Sequence, residues 1–499
     1  MDILSNLAGG FAAVLTWENL FYCFVGVTMG TFIGVLPGLG AMLGIALLLP
    51  VTFYLPPEAA IIMLAGIYYG GEYGGSIAAI LINVPGTPSS AVACLDGHQM
   101  TKRGRAALAL FTSAVASFVA GSIAIALMAA FSPLIARFAL TFGSVEYFVV
   151  MLLGLLGAVS VTSGSRLKAL TAVVFGVLFG TIGTDVSTGV QRFTLGYPEL
   201  ITGVSLVALA MGLFGMAEII SNTGRNISGA PKPQIRMRDM LPTRDEWRRS
   251  FGPMWRGTSI GAVLGALPGT GPTIASFMAY ALEKKVSRNG DKFGDGMIEG
   301  LVAPESANNA AAQTAFIPTL TLGIPGTATM ALLLGALMIQ GIPPGPRLMT
   351  DNADLFWALV ASFWIGNLFL LVLNIPLVGL WVRLVQIPYR FLYPAIICLI
   401  SVGVYSINLN NFDVFVVLAM GLLGYGMQVG GFAAAPFLMG FILGPMMEEN
   451  LRRGMMLARG DFMAFFNSPI AAICLSLAAL LLIWPAITWI FAQVSGRRT

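Results

Sequence analysis

The segment GVLPGLG, Gly34 to Gly40, lies within one of the most apolar stretches of the chain, and it decides the predicted fold. It returns almost unchanged as GALPGTG, Gly265 to Gly271. Proline has no backbone N–H and clashes with the preceding helical turn, and glycine lets the chain change direction at little steric cost. Each copy therefore predicts an interrupted helix inside hydrophobic surroundings.

The composition predicts an all-α polytopic membrane protein. Of 499 residues, 57% are hydrophobic and 10% are charged, whereas soluble domains average about 25% charged residues. A helix crosses a bilayer with about 20 apolar residues, and the chain offers such stretches many times. The net charge of +4 gives no indication of nucleic-acid binding. With a single histidine, His98, and no P-loop, metal-ligand cluster or nucleophile elbow, the sequence predicts no enzyme and no cofactor.

Three motifs occur twice in the same order, which predicts two structural repeats. A basic segment over residues 221–252 separates them and is predicted to be a cytoplasmic linker, leaving repeats at residues 1–220 and 253–499. In this alignment Glu72 stands opposite Glu305. The paired motifs are GVLPGLG with GALPGTG, GGEYGGS (Gly70–Ser76) with APESANNA (Ala303–Ala310), and NVPGTPS (Asn83–Ser89) with GIPGTAT (Gly323–Thr329).

The charges that flank the motifs predict that the repeats are inverted. Basic residues on both sides of the second motif, Arg256 and Lys284, favour cytoplasmic ends. The first motif has no basic neighbour, so its ends are predicted outside, although a single broken helix at Pro37 is an alternative. The predicted parts are re-entrant hairpins at about 22–49 and 254–283, broken helices at about 58–100 and 295–341, and further helices up to residue 220 and to the C-terminus.

Polar groups at the predicted interruptions indicate a binding site for an anion. Irregular backbone at membrane depth is stable only when it is buried in protein or lines a cavity. Helices that restart there expose N–H groups that bind anions, and helices that end there expose carbonyls that bind cations. Inverted repeats with such interruptions are typical of secondary transporters. Nearby hydroxyl and amide side chains could bind a carboxylate or merely cap the freed backbone: Asn83, Thr87, Ser89, Ser90, Thr270, Thr273, Thr327 and Thr329.

Two acidic residues, Glu72 and Glu305, lie in Gly-, Ser- and Asn-rich stretches that are predicted to be unwound. A carboxylate inside the membrane is a candidate to carry a proton or to bind a cation. Ser306, Asn308 and Asn309 add further oxygens beside Glu305. The alternative is that each carboxylate holds a helix in place by accepting backbone hydrogen bonds.

With these motifs, the sequence resembles the large membrane subunit of the tripartite tricarboxylate transporter family, the TctA type. The resemblance rests on GTFIGVLPGLGAMLGIALLLP, GAVLGALPGTGPTIASFMAYALEKK, NVPGTPSSA, APESANNAA and TLGIPGTATMALLLGALMIQGIPPGP, and it covers essentially the whole chain. It implies a permease of the bacterial inner membrane with two partners, a small four-helix membrane subunit and a periplasmic solute-binding protein. The substrates would be organic anions, citrate and other tri- and dicarboxylates foremost, driven by an ion gradient, commonly Na⁺.

The motifs and their hydroxyls together define the expected site. Pro37 and Pro268 are the expected helix breakers. The expected substrate-binding residues are Gly38, Gly40, Asn83, Pro85, Gly86, Thr87, Ser89, Gly269, Thr270, Gly271, Thr273, Pro325, Gly326 and Thr327. The candidate Na⁺ ligands are Gly38, Asn83, Gly269, Glu305, Asn308, Asn309 and Thr327.

Several mechanisms fit these residues. No Arg or Lys is clearly placed inside the membrane, so a co-bound cation is expected to neutralise part of the substrate charge. Proton coupling through Glu72 or Glu305 is the alternative to Na⁺, and an anion channel is a further one. The expected transport step is an elevator-like motion of the two hairpin units against a fixed scaffold, for which a homodimer is one candidate.

Overall fold

The computed structural model describes residues 3–36, 39–162, 165–185, 188–222, 237–384 and 389–494, and most of these are helical. The first part contains α1 Ile3–Val14, α2 Trp17–Val35, α3 Gly40–Thr52, α4 Pro57–Ile82, a 3-10 helix Pro88–Val92, α5 Ala93–Lys102, α6 Ala106–Ala139, α7 Ser144–Val161, α8 Arg166–Gly180, an antiparallel pair β1 Gly183–Thr184 and β2 Gln191–Arg192, a 3-10 helix Pro198–Leu200, α9 Leu206–Ala210, a π-helix Met211–Met216 and α10 Ala217–Asn222. The second contains a 3-10 helix Met237–Asp239, α11 Arg244–Gly265, α12 Gly271–Val286, a 3-10 helix Gly290–Lys292, α13 Ile298–Thr314, α14 Phe316–Leu322, α15 Ala328–Ile339, α16 Leu348–Asp351, α17 Ala353–Asn374, α18 Val378–Leu384, α19 Tyr389–Asn408, α20 Asn411–Val429, α21 Ala434–Leu457, α22 Ala464–Asn467 and α23 Pro469–Val494.

Length and composition make this a multi-pass membrane protein. Within the described ranges, α2, α6, α17 and α20 are long and apolar enough to cross a membrane. Large apolar side chains remain exposed on outer helix faces, among them Phe415 and Leu422 of α20. Such faces suit lipid rather than water, because a soluble surface seldom leaves large contiguous apolar patches uncovered.

The first Pro-Gly motif forms a hairpin rather than a single broken helix. Gly34, near the end of α2, and Ala41, near the start of α3, both contact Gly71 of α4. Farther along α3, Gly44 contacts Ile67, which lies one turn earlier on α4. The chain therefore reverses between α2 and α3, and α3 runs antiparallel to α4.

Three glycines at four-residue spacing bring each hairpin into backbone contact with the helix that follows it. A Cβ placed on Gly26, Gly30 or Gly34 would lie 2.3 Å from a carbonyl oxygen of α4. A Cβ placed on Gly257, Gly261 or Gly265 would lie 2.1 to 2.4 Å from a carbonyl oxygen of α13. Small residues at this spacing let membrane helices approach closely. α2 and α11 thus pack on α4 and α13 through the same kind of glycine contact.

The broken helices are interrupted at matching places. Helix α4 ends at Asn83, which has φ 61°, and α14 ends at Gly323, which has φ 70°. Each is followed by Pro-Gly-Thr and a new helical start. This register corrects the predicted pairing of the carboxylates, because Glu72 lies 11 residues before Asn83 whereas Glu305 lies 18 residues before Gly323.

The prediction that Glu72 and Glu305 lie in unwound stretches is wrong. Both lie within continuous helices, α4 and α13. The glycines near Glu72 serve packing instead: a Cβ on Gly70 would lie 2.6 Å from the Val27 carbonyl oxygen, and one on Gly74 would lie 2.4 Å from that of Thr31.

The predicted linker ends earlier than residue 252, because α11 already begins at Arg244. A capping box starts the helix: Thr243 Oγ1 accepts the Glu246 N–H at 3.3 Å, and the Glu246 carboxylate accepts the Thr243 N–H at 2.8 Å. Burial raises the pKa of Glu246, but the Thr243 hydrogen bonds and the Arg105 guanidinium outweigh this effect and hold the pKa below its ordinary value.

The start of α11 is also tied to α13, because Arg249 forms an ion pair with Glu299 through two hydrogen bonds, both at 2.8 Å. Residues 223–236 of the predicted linker lie outside the described residues.

The two repeats meet where α4 crosses α13 and α14. Ser76 Oγ donates to Glu305 Oε1 at 2.8 Å, and the rings of Tyr68 and Phe316 lie 5.9 Å apart between centroids. Residue numbers rise along α4 as they fall along α13 and α14, so α4 runs antiparallel to these two helices.

A second junction of the two repeats centres on Asp96, a fully buried residue of α5. Its Oδ1 accepts the backbone N–H groups of Gly294, Gly296 and Met297 at 2.7 to 3.0 Å, and its Oδ2 accepts the Tyr280 hydroxyl at 2.9 Å. Every one of these donors belongs to the second repeat. Asp96 therefore fastens the loop before α13 to the first repeat.

Candidate functional site

A cavity of about 620 Å³ lies where both hairpins and both broken helices meet. The starts of four helical segments border it: Gly40 of α3, Pro88 of the 3-10 helix, Pro272 of α12 and Ala328 of α15. The first N–H groups of a helix have no partner within the helix, and the helix dipole is positive there. The four starts can therefore present partial positive charge to one volume through their N–H groups, to which Pro88 and Pro272 contribute none.

The first interruption is held by close backbone contact. The Gly86 N–H donates to the Gly75 carbonyl at 3.3 Å, and a Cβ on Gly86 would lie 2.0 Å from the Gly34 carbonyl oxygen. Asn83 provides the left-handed turn that ends α4 and is exposed outside the cavity wall. Its side chain is predicted to bind substrate or Na⁺, and the structure places it off the cavity wall, at a turn that needs a positive φ.

Glu72 and two hydroxyls form a buried polar group on the cavity wall. Ser89 Oγ donates to Glu72 Oε2 at 2.5 Å, and Thr87 Oγ1 donates to the same oxygen at 3.3 Å. The two hydroxyl oxygens lie 2.9 Å apart. Thr87 and Ser90 also cap each other across the start of the 3-10 helix. The segment from Thr87 to Ser90 therefore both caps the 3-10 helix and contributes hydroxyl groups to the cavity wall.

The second interruption is tied to the tip of the second hairpin. The Gly269 N–H donates to the Gly326 carbonyl at 3.0 Å. Thr327 caps α15 by accepting the Met330 N–H at 3.2 Å, and it also borders the cavity. The Thr270 hydroxyl donates to carbonyls that end α11, including that of Leu267 at 3.0 Å. Thr270 thus has the capping role that was the alternative to substrate binding.

The charges on the cavity wall are both negative. The acidic residues there are Glu72 and Glu218, and no Lys, Arg or His belongs to the part of the wall that the structure describes. An anion in the cavity would therefore face backbone N–H groups and hydroxyls rather than a basic side chain. Two carboxylates beside an anionic ligand also favour a neutralising cation.

Glu305 lies behind the cavity wall in a separate buried network. Its Oε2 accepts the hydroxyls of Ser113 at 3.1 Å and Ser117 at 3.4 Å, in addition to the Ser76 bond on Oε1. Asn309 Nδ2 donates to Ser117 Oγ at 2.6 Å. All donors to this carboxylate are hydroxyls, so the network contains no basic partner.

Two buried hydroxyls on the helices of the two carboxylates, Tyr68 on α4 and Ser306 on α13, have no hydrogen-bond partner among the described residues. The buried Asn308 amide faces the Glu72 carboxylate. Unpartnered buried polar groups are rare and costly in proteins and often mark a place for water or an ion. No three His, Cys, Asp or Glu side chains of the described chain come together as a metal site, so any ion here would rely on hydroxyl, amide and single carboxylate oxygens.

The structure divides the predicted site residues into three groups. Pro37 and Gly38 lie outside the described residues. The residues on the cavity wall are Gly40, Pro85, Gly86, Thr87, Ser89, Thr273 and Thr327. Those that lie off the wall, in the hairpins, in the second interruption or in the Glu305 network, are Asn83, Pro268, Gly269, Thr270, Gly271, Glu305, Asn308, Asn309, Pro325 and Gly326.

Sequence reasoning missed the side of the cavity formed by the π-helix, α10, α20 and α21. Leu213 comes from the π-helix and Glu218 from α10, whereas Gln428 lies in the last turn of α20 and Phe432 in the turn between α20 and α21. For Gln428 the sequence did contain a usable signal, because the glycine pair Gly430 and Gly431 follows it closely within an otherwise apolar stretch.

Comparison with known proteins agrees with the resemblance seen in the sequence. An uncharacterized 52.8 kDa protein in the TAR-I ttuC' 3'region of Agrobacterium vitis is 50% identical over 475 residues, 95% of this chain and 94% of that protein. An uncharacterized protein in the TAR-II ttuC' 3'region of the same organism is 54% identical over 223 residues, 45% of this chain and 92% of that protein. No solved structure matches the chain. The model of the tripartite tricarboxylate transporter TctA family matches residues 20–439, and the chain belongs to this family of transporter subunits.

Proposed function

We propose that the chain is the large permease subunit of a secondary transporter that imports organic tri- and dicarboxylates across the bacterial inner membrane. Family membership supports two partners, a small membrane subunit and a periplasmic solute-binding protein. One observation carries the substrate class: four helical starts border one cavity whose described wall has no basic side chain. Such starts bind carboxylates through N–H groups and the helix dipole.

The substrate contacts follow from the cavity wall. The carboxylates of the substrate accept hydrogen bonds from backbone N–H groups at the four helical starts and from the Thr273, Thr327 and Thr329 hydroxyls. Gly40 and Gly86 let the backbone approach the ligand without an intervening side chain. The apolar wall at Phe214 and Phe432 covers the carbon skeleton of the acid.

Coupling uses a cation bound beside the substrate. Glu72, Thr87 and Ser89 present four oxygens to the cavity, and a Na⁺ ion held among them and a substrate carboxylate would offset the repulsion between Glu72 and the acid. A proton carried by Glu72, or relayed to Glu305, is the second candidate. It draws support from the Glu305 network, whose donors are hydroxyls that can equally serve a protonated carboxyl group.

Transport proceeds by an elevator-like movement of two inverted units. The antiparallel crossing of α4 with α13 and α14 and the matching glycine contacts of both hairpins support an inverted pair of repeats. Each hairpin and its broken helix move as one body, because their backbones touch directly. The remaining helices, together with those of a second copy of the chain in a homodimer, form the fixed scaffold.

The test is citrate uptake into proteoliposomes that contain the chain with its small membrane subunit, supplied with the binding protein. Uptake should saturate with citrate and increase at least ten-fold with an inward Na⁺ gradient. Ser89→Ala should reduce uptake strongly, whereas Ser476→Ala, which removes an exposed hydroxyl of α23 that bonds only the Ala472 carbonyl, should not. Equal uptake with and without Na⁺ would assign coupling to protons, and uptake without saturation would indicate a channel.

A further inference from the structure

A second cavity, of about 400 Å³, adjoins the far side of the second interruption. Its wall is formed by the turn between α6 and α7, by residues 343–347 and by the last turns of α21. Leu322, at the end of α14, borders it. The Gly345 N–H donates to the Leu320 carbonyl at 3.2 Å, so the 343–347 segment is fixed directly to the helix that ends at the interruption.

The residues that border the two cavities lie toward opposite ends of α7. Ser144 and Tyr147, at the start of α7, border the second cavity. Beyond the other end of α7, Lys168 donates to the Gly430 carbonyl at 2.6 Å, beside Gln428 and Phe432 of the main cavity. The 18 residues of α7 span about 27 Å at 1.5 Å per residue. Between the cavities lies the second interruption, with Leu322 on one wall and Thr327 on the other.

The second cavity has the basic side chains that the main cavity lacks. Arg347 is exposed on its wall, and no ion pair among the described residues includes it. Arg453 also borders the cavity but pairs with the exposed Glu449. Asn450 and Tyr147 add polar groups. The wall therefore carries an excess of positive charge, and that excess is the free guanidinium of Arg347.

The chemistry of this wall selects a planar anion. Pro343, Pro344 and Pro346 border the cavity and have no N–H to offer, so on this side of the wall the hydrogen-bond donor is the Arg347 side chain. A guanidinium donates two parallel hydrogen bonds to a carboxylate. Glu146, the nearest acidic residue on α7, caps its own helix by accepting the Gly143 N–H at 2.8 Å and is not part of the wall.

We infer that the Arg347 cavity is a second carboxylate-binding site, where the organic acid is held on the opposite side of the second interruption before it enters the main cavity. The inference rests on the proposed transport function. In this scheme the acid is first captured by the Arg347 guanidinium. It is then bound in the main cavity by helix starts and a cation during transport. A fixed arginine suits capture because it stays charged at every working pH.

The test counts citrate molecules bound to the full chain in phosphatidylcholine nanodiscs by equilibrium dialysis with radiolabelled citrate and Na⁺. Wild type should bind two per chain. Arg347→Gln should bind one, with the lost site at least ten-fold weaker, and Arg347→Lys should keep two with one of them weakened. The matched control is Arg383→Gln, an exposed arginine of α18 on neither cavity wall, which should bind two.

The outcomes separate this inference from the proposed function. One citrate per wild-type chain, unaffected by Arg347→Gln, would overturn the second site and leave the proposed function in place. No citrate bound at all would remove both. A phospholipid phosphate offers Arg347 similar oxygens, so the measurement is repeated in phosphatidylglycerol nanodiscs. Loss there of only the Arg347-dependent citrate would assign the site to a lipid headgroup and contradict the inference.

Discussion

Gly86 and Gly326 take the same place in the two interruptions. Even so, the structure predicts that alanine destabilises the protein at Gly86 and has little effect at Gly326. A Cβ on Gly86 would lie 2.0 Å from the Gly34 carbonyl oxygen and 2.7 Å from the Gly75 Cα, and both are backbone atoms that cannot turn away. A Cβ on Gly326 would meet nothing closer than 3.9 Å. Neither residue needs a positive φ, so the comparison isolates steric contact.

The cost of Gly86→Ala can be worked from these contacts. Ordinary van der Waals contact begins at 3.4 Å, so the hairpin tip or the interruption must shift by more than 1 Å. Overpacking of this kind costs about 1–3 kcal/mol, and the Gly86–Gly75 hydrogen bond, about 0.5–1.5 kcal/mol, is lost with it. We expect a destabilisation of about 2–4 kcal/mol for Gly86→Ala and under about 0.5 kcal/mol for Gly326→Ala.

Two measurements test this pair of variants. Unfolding in detergent, followed by tryptophan fluorescence, should show a clear loss of stability for Gly86→Ala alone. Citrate uptake should fall with it, because the shift moves Thr87 and Ser89 away from Glu72. If Gly86→Ala retains wild-type stability and uptake, or if Gly326→Ala is equally harmful, the packing described for the first interruption is incorrect.

Further predictions concern the glycine contacts between helices, the Glu246 cap at the start of α11 and Asn83 at the end of α4. Gly30→Ala and Gly261→Ala should each destabilise the protein by about 1–3 kcal/mol, whereas Gly426→Ala, at an open position within α20, should stabilise it by about 0.5–1 kcal/mol; equal effects in unfolding assays would contradict the contacts. Because the folded pKa of Glu246 is lowered, wild type should unfold at higher temperature than Glu246→Gln above about pH 4.5, and this difference should disappear as the pH falls through the folded pKa; a difference that grows in acid would refute it. Asn83→Gly should leave citrate uptake unchanged, because glycine also adopts φ 61°; a large loss would restore Asn83 as a ligand.

The local signals in the sequence were sufficient to locate the interruptions. Proline and glycine act on the few residues around them, and described helices end close to all four Pro-Gly motifs, at Val35, Ile82, Gly265 and Leu322. The glycine run around Glu72 was misinterpreted, because a run of glycines is compatible with both an unwound segment and a tight helix contact. Only the position of α2, which is distant in sequence, distinguishes these two possibilities.

Part of the cavity wall was predictable because it is formed by the interruptions, which local sequence locates. Thr87, Ser89 and Thr327 belong to the interruptions, so their place on its wall follows from local sequence. Glu218 and Gln428 come from helices that carry no repeated motif, and their role depends on how those helices pack. Asn83 was chosen for its amide, but the turn at this position requires a backbone conformation rather than a ligand.

The burial of Asp96 imposes an order on how the chain can be assembled during synthesis. All its hydrogen-bond donors, from Tyr280 to Met297, emerge from the ribosome long after Asp96 itself. Until then a final arrangement of the first repeat would enclose an unpaired negative charge at a cost of several kcal/mol. We therefore expect the N-terminal half to reach its final arrangement around Asp96 only after the segment through Met297 has been synthesised.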